Sequence, residues 1–245
     1  MSGAARTHSV RIVSPPSMSE LASEALRTMI LSGELRPGDR VVENRLTEQL
    51  GVSRPPLREA LKELEHEGLI VQHARRGAVV TPLTQHDVYE IVTMREDLET
   101  MAVRLGVPVR DPALLRPVED ALRAIERAAE DDDEAAATES GFAFHLAVVG
   151  LAGHRRLSDA YRALALQMQL CMGLNRSARK PRETLTGNAT RHRSLLEQIK
   201  EGNPEAVLAA LSTHGHRTFL ADLVDGLEGA TPRSQAWLHT LPEHR

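Results

Sequence analysis

The spacing of the apolar residues is the feature that most limits what this chain can fold into. Apolar side chains recur every three or four residues along most of the sequence, as in helices with one buried face. Strand-like runs are found at Leu69–His73 and Ala78–Thr81, on either side of a short basic tip that contains a glycine. The sequence therefore predicts a mainly α-helical fold with one small β-hairpin.

Glycines and prolines mark the ends of the predicted elements. Helices are predicted at 19–32, 43–50, 54–67, 85–106, 111–130, 134–152, 155–178, 188–201 and 204–226. Three helices followed by a hairpin make a winged helix-turn-helix, and the later helices make an all-α bundle. The predicted segments are a flexible arm over 1–17, a winged helix-turn-helix over 18–84, an all-helical domain over 85–226 and a loose tail over 227–245.

The composition argues against several classes of protein. No apolar run approaches the roughly 20 residues that a membrane-spanning helix needs, so no membrane association is expected. The N-terminal residues lack the apolar centre of a secretory signal. The single cysteine, Cys171, cannot form an internal disulfide and is typical of a reducing compartment, so the expected location is the cytoplasm.

The net charge of −4, taken over the whole chain, argues against a nucleic-acid binder, because such proteins usually carry a basic surplus. Of the 30 basic and 34 acidic residues, eleven and ten fall within residues 1–84, which leaves 19 and 24 for the remainder. The acidity therefore belongs to the helical domain. The first third is close to neutral, and its arginines determine what it can bind.

The start of the third predicted helix carries residue types that read DNA. Arg54 and Arg58 are four residues apart and therefore project from the same face. An arginine can donate two hydrogen bonds to the O6 and N7 atoms of a guanine. Ser53 and the helix N-terminus can bind a phosphate. The hairpin tip is short and basic enough to reach a phosphate or a minor groove, and it consists of Arg75, Arg76 and Gly77.

The segment Ile30–Val80 resembles the winged-helix domain of the GntR family of bacterial regulators. The matching motifs are Ile30-Leu31-Ser32-Gly33, Leu35-x-Pro37-Gly38, Leu46-x-x-x-Leu50-Gly51-Val52-Ser53-Arg54, Pro56-Leu57-Arg58-Glu59-Ala60-Leu61 and Glu67-Gly68-Leu69. The resemblance implies that Arg54, Arg58 and the wing tip contact DNA. The family usually has an arginine early in the preceding helix, where this chain has Asn44 followed by Arg45, so both are further candidates. The alternative is a winged helix that serves protein contacts.

Three histidines, His145, His192 and His214, lie on the apolar stripes of their predicted helices. His192 precedes Asn203 by eleven residues and His214 follows it by eleven, so a turn at Asn203 brings the two imidazoles to one level. Three inward histidines suit zinc, nickel or a similar divalent ion. The alternative is three core histidines whose polar atoms are satisfied by side chains or by the backbone.

Residues 85–225 resemble the all-helical effector domain, called FCD, of FadR-type members of that family. The resemblance rests on Asp87-x-x-x-x-x-x-x-Arg95-x-x-x-Glu99, on Phe144-His145 and on the pair His192 and His214. In metal-binding members a carboxylate one turn before the first histidine completes an aspartate and three-histidine site. Gly141 occupies that position here, so the site either holds a metal on three histidines or is metal-free.

These resemblances imply a ligand-responsive regulator, a repressor that binds a palindromic DNA operator as a homodimer. The effector would be a small carboxylate held by Arg95 and the three histidines, although Arg95 could instead pair with Glu99 four residues along. Two other functions remain open. One is a metal-dependent enzyme that uses the three histidines. The argument against it is that no acid or base is convincingly paired with them. The other is a regulator for which the metal itself is the effector.

Overall fold

The computed structural model describes residues 15–73, 77–179, 183–214, 224 and 227–240. Its elements in chain order are α1 Met18–Leu31, β1 Arg40–Val41, α2 Glu43–Leu50, α3 Arg54–His66, β2 Ile70–His73, β3 Gly77–Val80, α4 Gln85–Gly106, a 3-10 turn Pro112–Leu114, α5 Leu115–Glu130, α6 Glu134–Gly150, α7 Arg155–Ala163, α8 Ala165–Arg179, α9 Leu185–Glu201, α10 Pro204–Ser212 and α11 Pro232–Leu238. The predicted fold class, a winged helix-turn-helix followed by an all-α bundle, is confirmed.

The winged helix-turn-helix forms because three amphipathic helices bury their apolar stripes against a small sheet. Leu26 of α1 and Leu57 and Leu64 of α3 are fully buried in this core. The sheet has the antiparallel order β1-β3-β2, with Ile70 opposite Val80 in the hairpin. The sequence did not predict β1, because a strand of two residues is too short to show alternation.

Local signals fix the ends of these helices. Ser17 and Glu20 form a capping box at the start of α1. Gly51 ends α2 in the left-handed conformation that glycine adopts without strain. Ser53 occupies the N-cap position of α3, as predicted, but its side chain forms no capping hydrogen bond. The first turn of α3 therefore does not engage the Ser53 hydroxyl.

Helix α6 lies at the centre of the second domain and also contacts the first. Phe144, Val148 and other residues on several sides of α6 are buried, which is typical of a helix enclosed by its neighbours. Near its N-terminal end, the Thr138 hydroxyl donates a hydrogen bond of 3.4 Å to the carbonyl of Leu31 at the end of α1. A Cβ atom on Gly173 of α8 would lie 2.9 Å from that same carbonyl oxygen. The two domains therefore pack closely where α1 ends.

Two predicted helices differ from those observed. The helix predicted at 155–178 is divided at Leu164 into α7 and α8, because the chain turns there without a proline or glycine to signal it. The helix predicted at 204–226 is observed as α10 up to Ser212, and residues 215–223, 225 and 226 lie outside the described residues. Among the described helices, none is both long and apolar enough to cross a membrane.

The expectation of a loose tail is wrong for Thr231–Leu238. Thr231 and Ser234 form a capping box that starts α11. The Ser234 hydroxyl donates to the side-chain oxygen of Gln85 at 3.1 Å, and the Trp237 ring packs edge-on against Tyr89 at 5.6 Å. The segment therefore forms a helix that docks through Trp237, although its prolines and glycine are typical of irregular structure. The arm over 1–17 is described only from residue 15 onward.

Close packing at the end of α4 predicts a strong effect of a single methyl group. A Cβ atom on Gly106 would lie 2.6 Å from the backbone carbon of Leu151, and backbone cannot move aside as a side chain can. We expect Gly106→Ala to lower the free energy of unfolding by about 2 kcal/mol or more. Urea denaturation followed by circular dichroism measures this change.

Gly150→Ala is the matched control, because a Cβ atom there meets nothing within 4 Å. This substitution should leave stability unchanged or raise it by up to about 1 kcal/mol, since alanine is the better helix former. Equal stability of the two variants would contradict the packing at Gly106.

Candidate functional site

Two of the residues predicted to contact DNA are exposed at the start of α3 and contact the start of α2. Arg54 and Arg58 begin α3, and both side chains are exposed. The Nη2 atom of Arg54 donates to the side-chain oxygen of Asn44 at 3.2 Å. The Nε atom of Arg58 donates to a carboxylate oxygen of Glu43 at 3.0 Å. The two residues that open α2 thus hold the two arginines that open α3.

Of the other residues predicted to contact DNA, the structure describes three and leaves out the two arginines of the wing tip. Ser53 and Arg45 are exposed. Gly77 begins β3 with a positive φ of 81°, a conformation that glycine adopts readily. Arg75 and Arg76 lie outside the described residues. Sequence reasoning missed Glu43, for which the only signal was its place at the start of α2.

The three predicted histidines come together inside the helical domain. His145 lies on α6, His192 lies on α9, and His214 follows α10 by two residues; they are 2 %, 4 % and 8 % exposed. The ring centroids of His192 and His214 are 4.4 Å apart, and that of His145 lies 5.6 Å and 5.1 Å from them. One nitrogen from each ring lies within 4.8 Å of the others.

The surroundings of His192 and His214 keep both of these imidazoles neutral. Burial lowers the pKa of His192 well below its ordinary value, and repulsion from the neighbouring His145 lowers it further. The pKa of His214 is lowered in the same way by burial and then by His192 and His145. A neutral imidazole carries a lone pair, so both rings are in the form that coordinates a metal.

Hydrogen bonds determine which nitrogen of His192 carries that lone pair. Its Nδ1 atom lies 2.9 Å from the carbonyl oxygen of Asn188, which can only accept, so Nδ1 bears the proton. Among the described residues, no partner bonds the Nε2 atom of His192 or that of His214. The Nε2 atom of His192 is therefore a buried acceptor, and a ligand at the cluster would satisfy it.

A buried carboxylate, Glu99, connects the cluster to α4 and α7. One of its oxygens accepts from Nε of Arg95 at 2.8 Å and from the hydroxyl of Tyr161 at 2.7 Å. The Nδ1 atom of His145 lies 3.2 Å from the same oxygen. Burial favours the neutral form of Arg95, but attraction to Glu99 outweighs it, so the pKa of Arg95 is raised. Burial, and then the Glu99 charge, raise the pKa of Tyr161.

The predicted pairing of Arg95 with Glu99 is thus present, but it is buried rather than at the surface. Sequence reasoning named Glu99 as a partner of Arg95 and did not connect it to His145. The sequence did carry a signal that this pair is buried, because Arg95 and Glu99 are four residues apart and lie among the apolar residues that α4 buries.

Gly141 borders the histidine cluster, where the family resemblance places a carboxylate. A Cβ atom on Gly141 would lie 4.0 Å from Nε2 of His192 and 3.1 Å from the terminal methyl of Met172. An aspartate here would place its Cβ atom 4.0 Å from the unpartnered Nε2 atom of His192, whereas glycine contributes no ligand. Glu139 on the same helix is exposed and does not supply that carboxylate. The donor set that fits a divalent ion is therefore the three histidines.

A cavity of about 300 Å³ lies beside the cluster between α4 and α10. Its lining includes the buried Glu99 and Leu211, together with Thr100, Arg104 and Leu208. Because Glu99 also contacts the histidine cluster, the cavity and the cluster share one carboxylate. A small molecule in this cavity would therefore lie next to the histidine centre.

Comparison with known proteins agrees with both halves of this description. Residues 18–80 match the family described as bacterial regulatory proteins, gntR family. Residues 90–217, more than half of the chain, match the FCD domain. The chain belongs to the GntR family and carries an FCD domain. The family prediction made from the sequence is confirmed.

Named relatives place this GntR-family chain among transcriptional regulators. It is 32 % identical over 193 residues to the HTH-type transcriptional regulator YdhC of Bacillus subtilis (strain 168), which covers 77 % of this chain and 84 % of that protein. It is 44 % identical over 82 residues to the gluconate operon transcriptional repressor of Bacillus licheniformis, which covers 33 % of each chain. A GntR structure from Rhodococcus sp. RHA1 has the same fold, with a TM-score of 0.64, 24 % identity, and coverage of 86 % of this chain and 99 % of that one.

The buried hydrogen bond between Tyr161 and Glu99 predicts a measurable contribution to stability. Tyr161→Phe removes a donor to a buried carboxylate and leaves the ring in place, so we expect the free energy of unfolding to fall by about 2 kcal/mol. Chemical denaturation at neutral pH measures the change. The control is Tyr89→Phe, which alters a half-buried ring in the same way. An unchanged stability in Tyr161→Phe would show that this bond is not formed.

Proposed function

We propose that this GntR-family regulator is a ligand-responsive repressor that reads a palindromic DNA operator as a homodimer. The observation that carries the proposal is the pair of exposed arginines at the start of α3, each held by a residue of α2. In a winged helix-turn-helix the second helix of the motif enters the major groove with its N-terminal residues against the bases. Arg54 and Arg58 lie at that end of α3.

The contacts that Arg54 and Arg58 make with α2 can be replaced by contacts with DNA at a small cost in free energy. The ion pair of Arg58 with Glu43 is largely exposed, with side-chain exposures of 62 % and 36 %, and such pairs contribute little stability. A guanine offers each arginine two acceptors in the major groove, and the backbone offers phosphate oxygens. Asn44 and Glu43 therefore orient the guanidinium groups before DNA arrives. The wing tip, Arg75, Arg76 and Gly77, adds contacts to phosphate or to the minor groove.

Repression is supported by a relative, the Bacillus licheniformis gluconate operon transcriptional repressor, which matches a third of this chain. One winged helix reads one half-site, and a palindrome presents two half-sites related by a two-fold axis. A homodimer matches that symmetry. The regulator acts where operator DNA is found, in the cytoplasm.

A divalent metal, zinc or nickel, fits the histidine cluster. His145, His192 and His214 would hold it, because they are buried and close together, and two of them present unpartnered Nε2 atoms. Such an ion supplies a positive charge and open coordination positions for a carboxylate ligand. Within the protein, Asn188 fixes the tautomer of His192, and Glu99 lies against His145 on the side away from its Nε2 atom.

The effector that this site favours is a small carboxylate in the cavity between α4 and α10. Arg95 already uses its Nε atom to bind Glu99, so it contributes to effector binding only through its other N–H groups. An enzymatic role is not favoured, since Glu139 is exposed and Glu99 is engaged by Arg95 and Tyr161. Burial of all three histidines favours one further candidate, in which the metal itself is the effector.

Removing one arginine tests the DNA-reading surface. We expect Arg54→Ala to weaken binding to the native operator by about 1–3 kcal/mol and to relax the preference at one base pair. Titration of labelled upstream DNA by fluorescence anisotropy at fixed salt measures both effects. The control is Arg116→Ala on α5, which removes the same charge from an exposed position in the helical domain. Equal binding by the two variants would contradict the assignment of α3 as the recognition helix.

Metal content and its dependence on Gly141 test the histidine centre. Protein purified without chelator should contain one divalent ion per chain by elemental analysis, and His192→Ala should lose it. Gly141→Asp adds a carboxylate beside the cluster, so we expect its metal affinity to rise by about ten-fold or more in competition with a chromogenic chelator. Gly150→Ala on the same helix is the control. A metal-free wild-type protein that does not bind added zinc or nickel would refute the metal proposal.

A further inference from the structure

A second cavity, of about 610 Å³, lies where the winged helix joins the helical domain. Residues 81–83, which follow β3, and the first half of α4 contribute to its lining, and Leu164, Gln167 and Arg233 complete it. It shares no lining residue with the cavity between α4 and α10, and none of the three clustered histidines lines it. Its volume lies within the roughly 300–1,000 Å³ that small-molecule sites occupy. The cavity is therefore large enough for a small molecule and separate from the effector site proposed above.

Helix α11 holds a cation at this cavity. The Thr231 hydroxyl lies 2.9 Å from Nδ1 of His86, and the Ser234 hydroxyl donates to the side-chain oxygen of Gln85 at 3.1 Å. These two contacts attach the start of α11 to the first turn of α4, and Arg233 lies between them in sequence. Arg233 is exposed, and within the described part of the chain it is in no ion pair. Its guanidinium group can therefore bind an anionic partner in the cavity.

Two carboxylates of α4 line the same cavity. Asp87 uses one oxygen, Oδ2, to accept from the backbone amide and the hydroxyl of Thr84. Glu90 is exposed, and one of its oxygens lies 3.3 Å from Nε2 of His86. Among the described residues, no ion pair joins either carboxylate to Arg233. The cavity thus presents a cation and two anions that do not neutralise one another, and a ligand that carries both charges would complement them.

Apolar side chains make up much of the remaining lining. Leu83 and Ile91 are buried, and Leu164 is half-buried. Tyr89 also lines the cavity, and its ring packs against Trp237. Such a lining favours a large apolar or aromatic side chain, which it removes from water. An apolar group next to charges of both signs is the chemistry of an amino acid rather than of a simple carboxylate or amine.

We propose that this cavity, the junction site, binds an amino acid with a large apolar side chain. The ligand carboxylate pairs with Arg233, and its ammonium group pairs with Asp87 and Glu90. Its side chain packs against the apolar lining around Leu83. Binding here does not require the proposed function, because neither the histidine centre nor the DNA-reading arginines take part. Since residues 81–83 link β3 to α4, the ligand contacts the segment that joins the two domains.

Three related probes test the ligand class on the full chain. L-phenylalanine carries both charges, phenethylamine lacks the carboxylate, and 3-phenylpropanoate lacks the ammonium group. We expect L-phenylalanine to bind and each of the other two to bind at least about ten-fold more weakly, because one charge-assisted contact is lost. Isothermal titration calorimetry measures the three affinities. Trp237 is the only tryptophan in the chain and contacts a lining residue, so its fluorescence should change with the same dissociation constant.

Removal of one charge at a time assigns the two ends of the ligand. Arg233→Gln should weaken L-phenylalanine about ten-fold and leave phenethylamine unchanged, since that probe has no carboxylate. Glu90→Gln should weaken L-phenylalanine and phenethylamine about five-fold and leave 3-phenylpropanoate unchanged. Both positions are exposed, so the fold does not depend on them. Arg116→Gln and Glu197→Gln remove the same charges from exposed positions on α5 and α9, and these controls should bind as the wild type does.

The outcomes separate this inference from the proposed function. A wild type that binds no L-phenylalanine, equal affinity for the three probes, or binding that leaves Trp237 fluorescence unchanged overturns the junction site. Binding of 3-phenylpropanoate that is tighter than that of L-phenylalanine and survives Arg233→Gln also overturns it, and assigns the carboxylate to the cavity between α4 and α10. Operator binding and its loss in Arg54→Ala decide the regulator proposal in a separate measurement.

Discussion

The buried carboxylate of Glu99 is the interaction on which much of the second domain depends. An isolated charge in a protein interior costs several kcal/mol, so its position requires partners that remain in place. Arg95 from the same helix, Tyr161 from α7 and His145 from α6 all lie within 3.2 Å of one of its oxygens. The network therefore fixes three helices relative to one another. It also determines the side from which His145 can accept a ligand.

Helix α6 joins the histidine centre to the DNA-binding domain. Its N-terminal half packs on α1, where Thr138 donates to the carbonyl of Leu31, and its C-terminal half carries His145. Gly173 of α8 lies close enough to the same carbonyl that a methyl group would not fit. The end of α1 is therefore in direct contact with the helix that carries His145. For the proposed ligand-responsive function, this contact is the route by which a ligand at the centre would act on the winged helix.

In the winged helix, the side chains of Arg54 and Arg58 form exposed contacts that other hydrogen-bond acceptors can replace. Its core is mainly apolar, whereas two exposed arginines at the start of α3 are held by Asn44 and Glu43 in contacts that solvent can reach. The net charge of the first third is close to zero. The proposed function therefore implies weak non-specific attraction to DNA, with specificity supplied by a few arginines. The acidic surplus lies in the residues after 84, which form the helical domain.

The sequence by itself determined the fold class, the position of helix α3 with its exposed arginines, and the identity of the three clustered histidines. Helical periodicity and local stop signals are properties of neighbouring residues, so they can be read without knowing the tertiary contacts. The division at Leu164, the two-residue strand β1 and the docking of Trp237 on α4 could not be read in this way, because packing against distant residues decides each of them.

The candidate site shows the same division. The eleven-residue spacings about Asn203 predicted that His192 and His214 would face each other, and they do. That Glu99 contacts His145, and that Gly141 borders the cluster, is decided only by the way the helices pack. Sequence spacing fixes which face of a helix a residue occupies, whereas only the tertiary structure decides which face of another helix lies opposite.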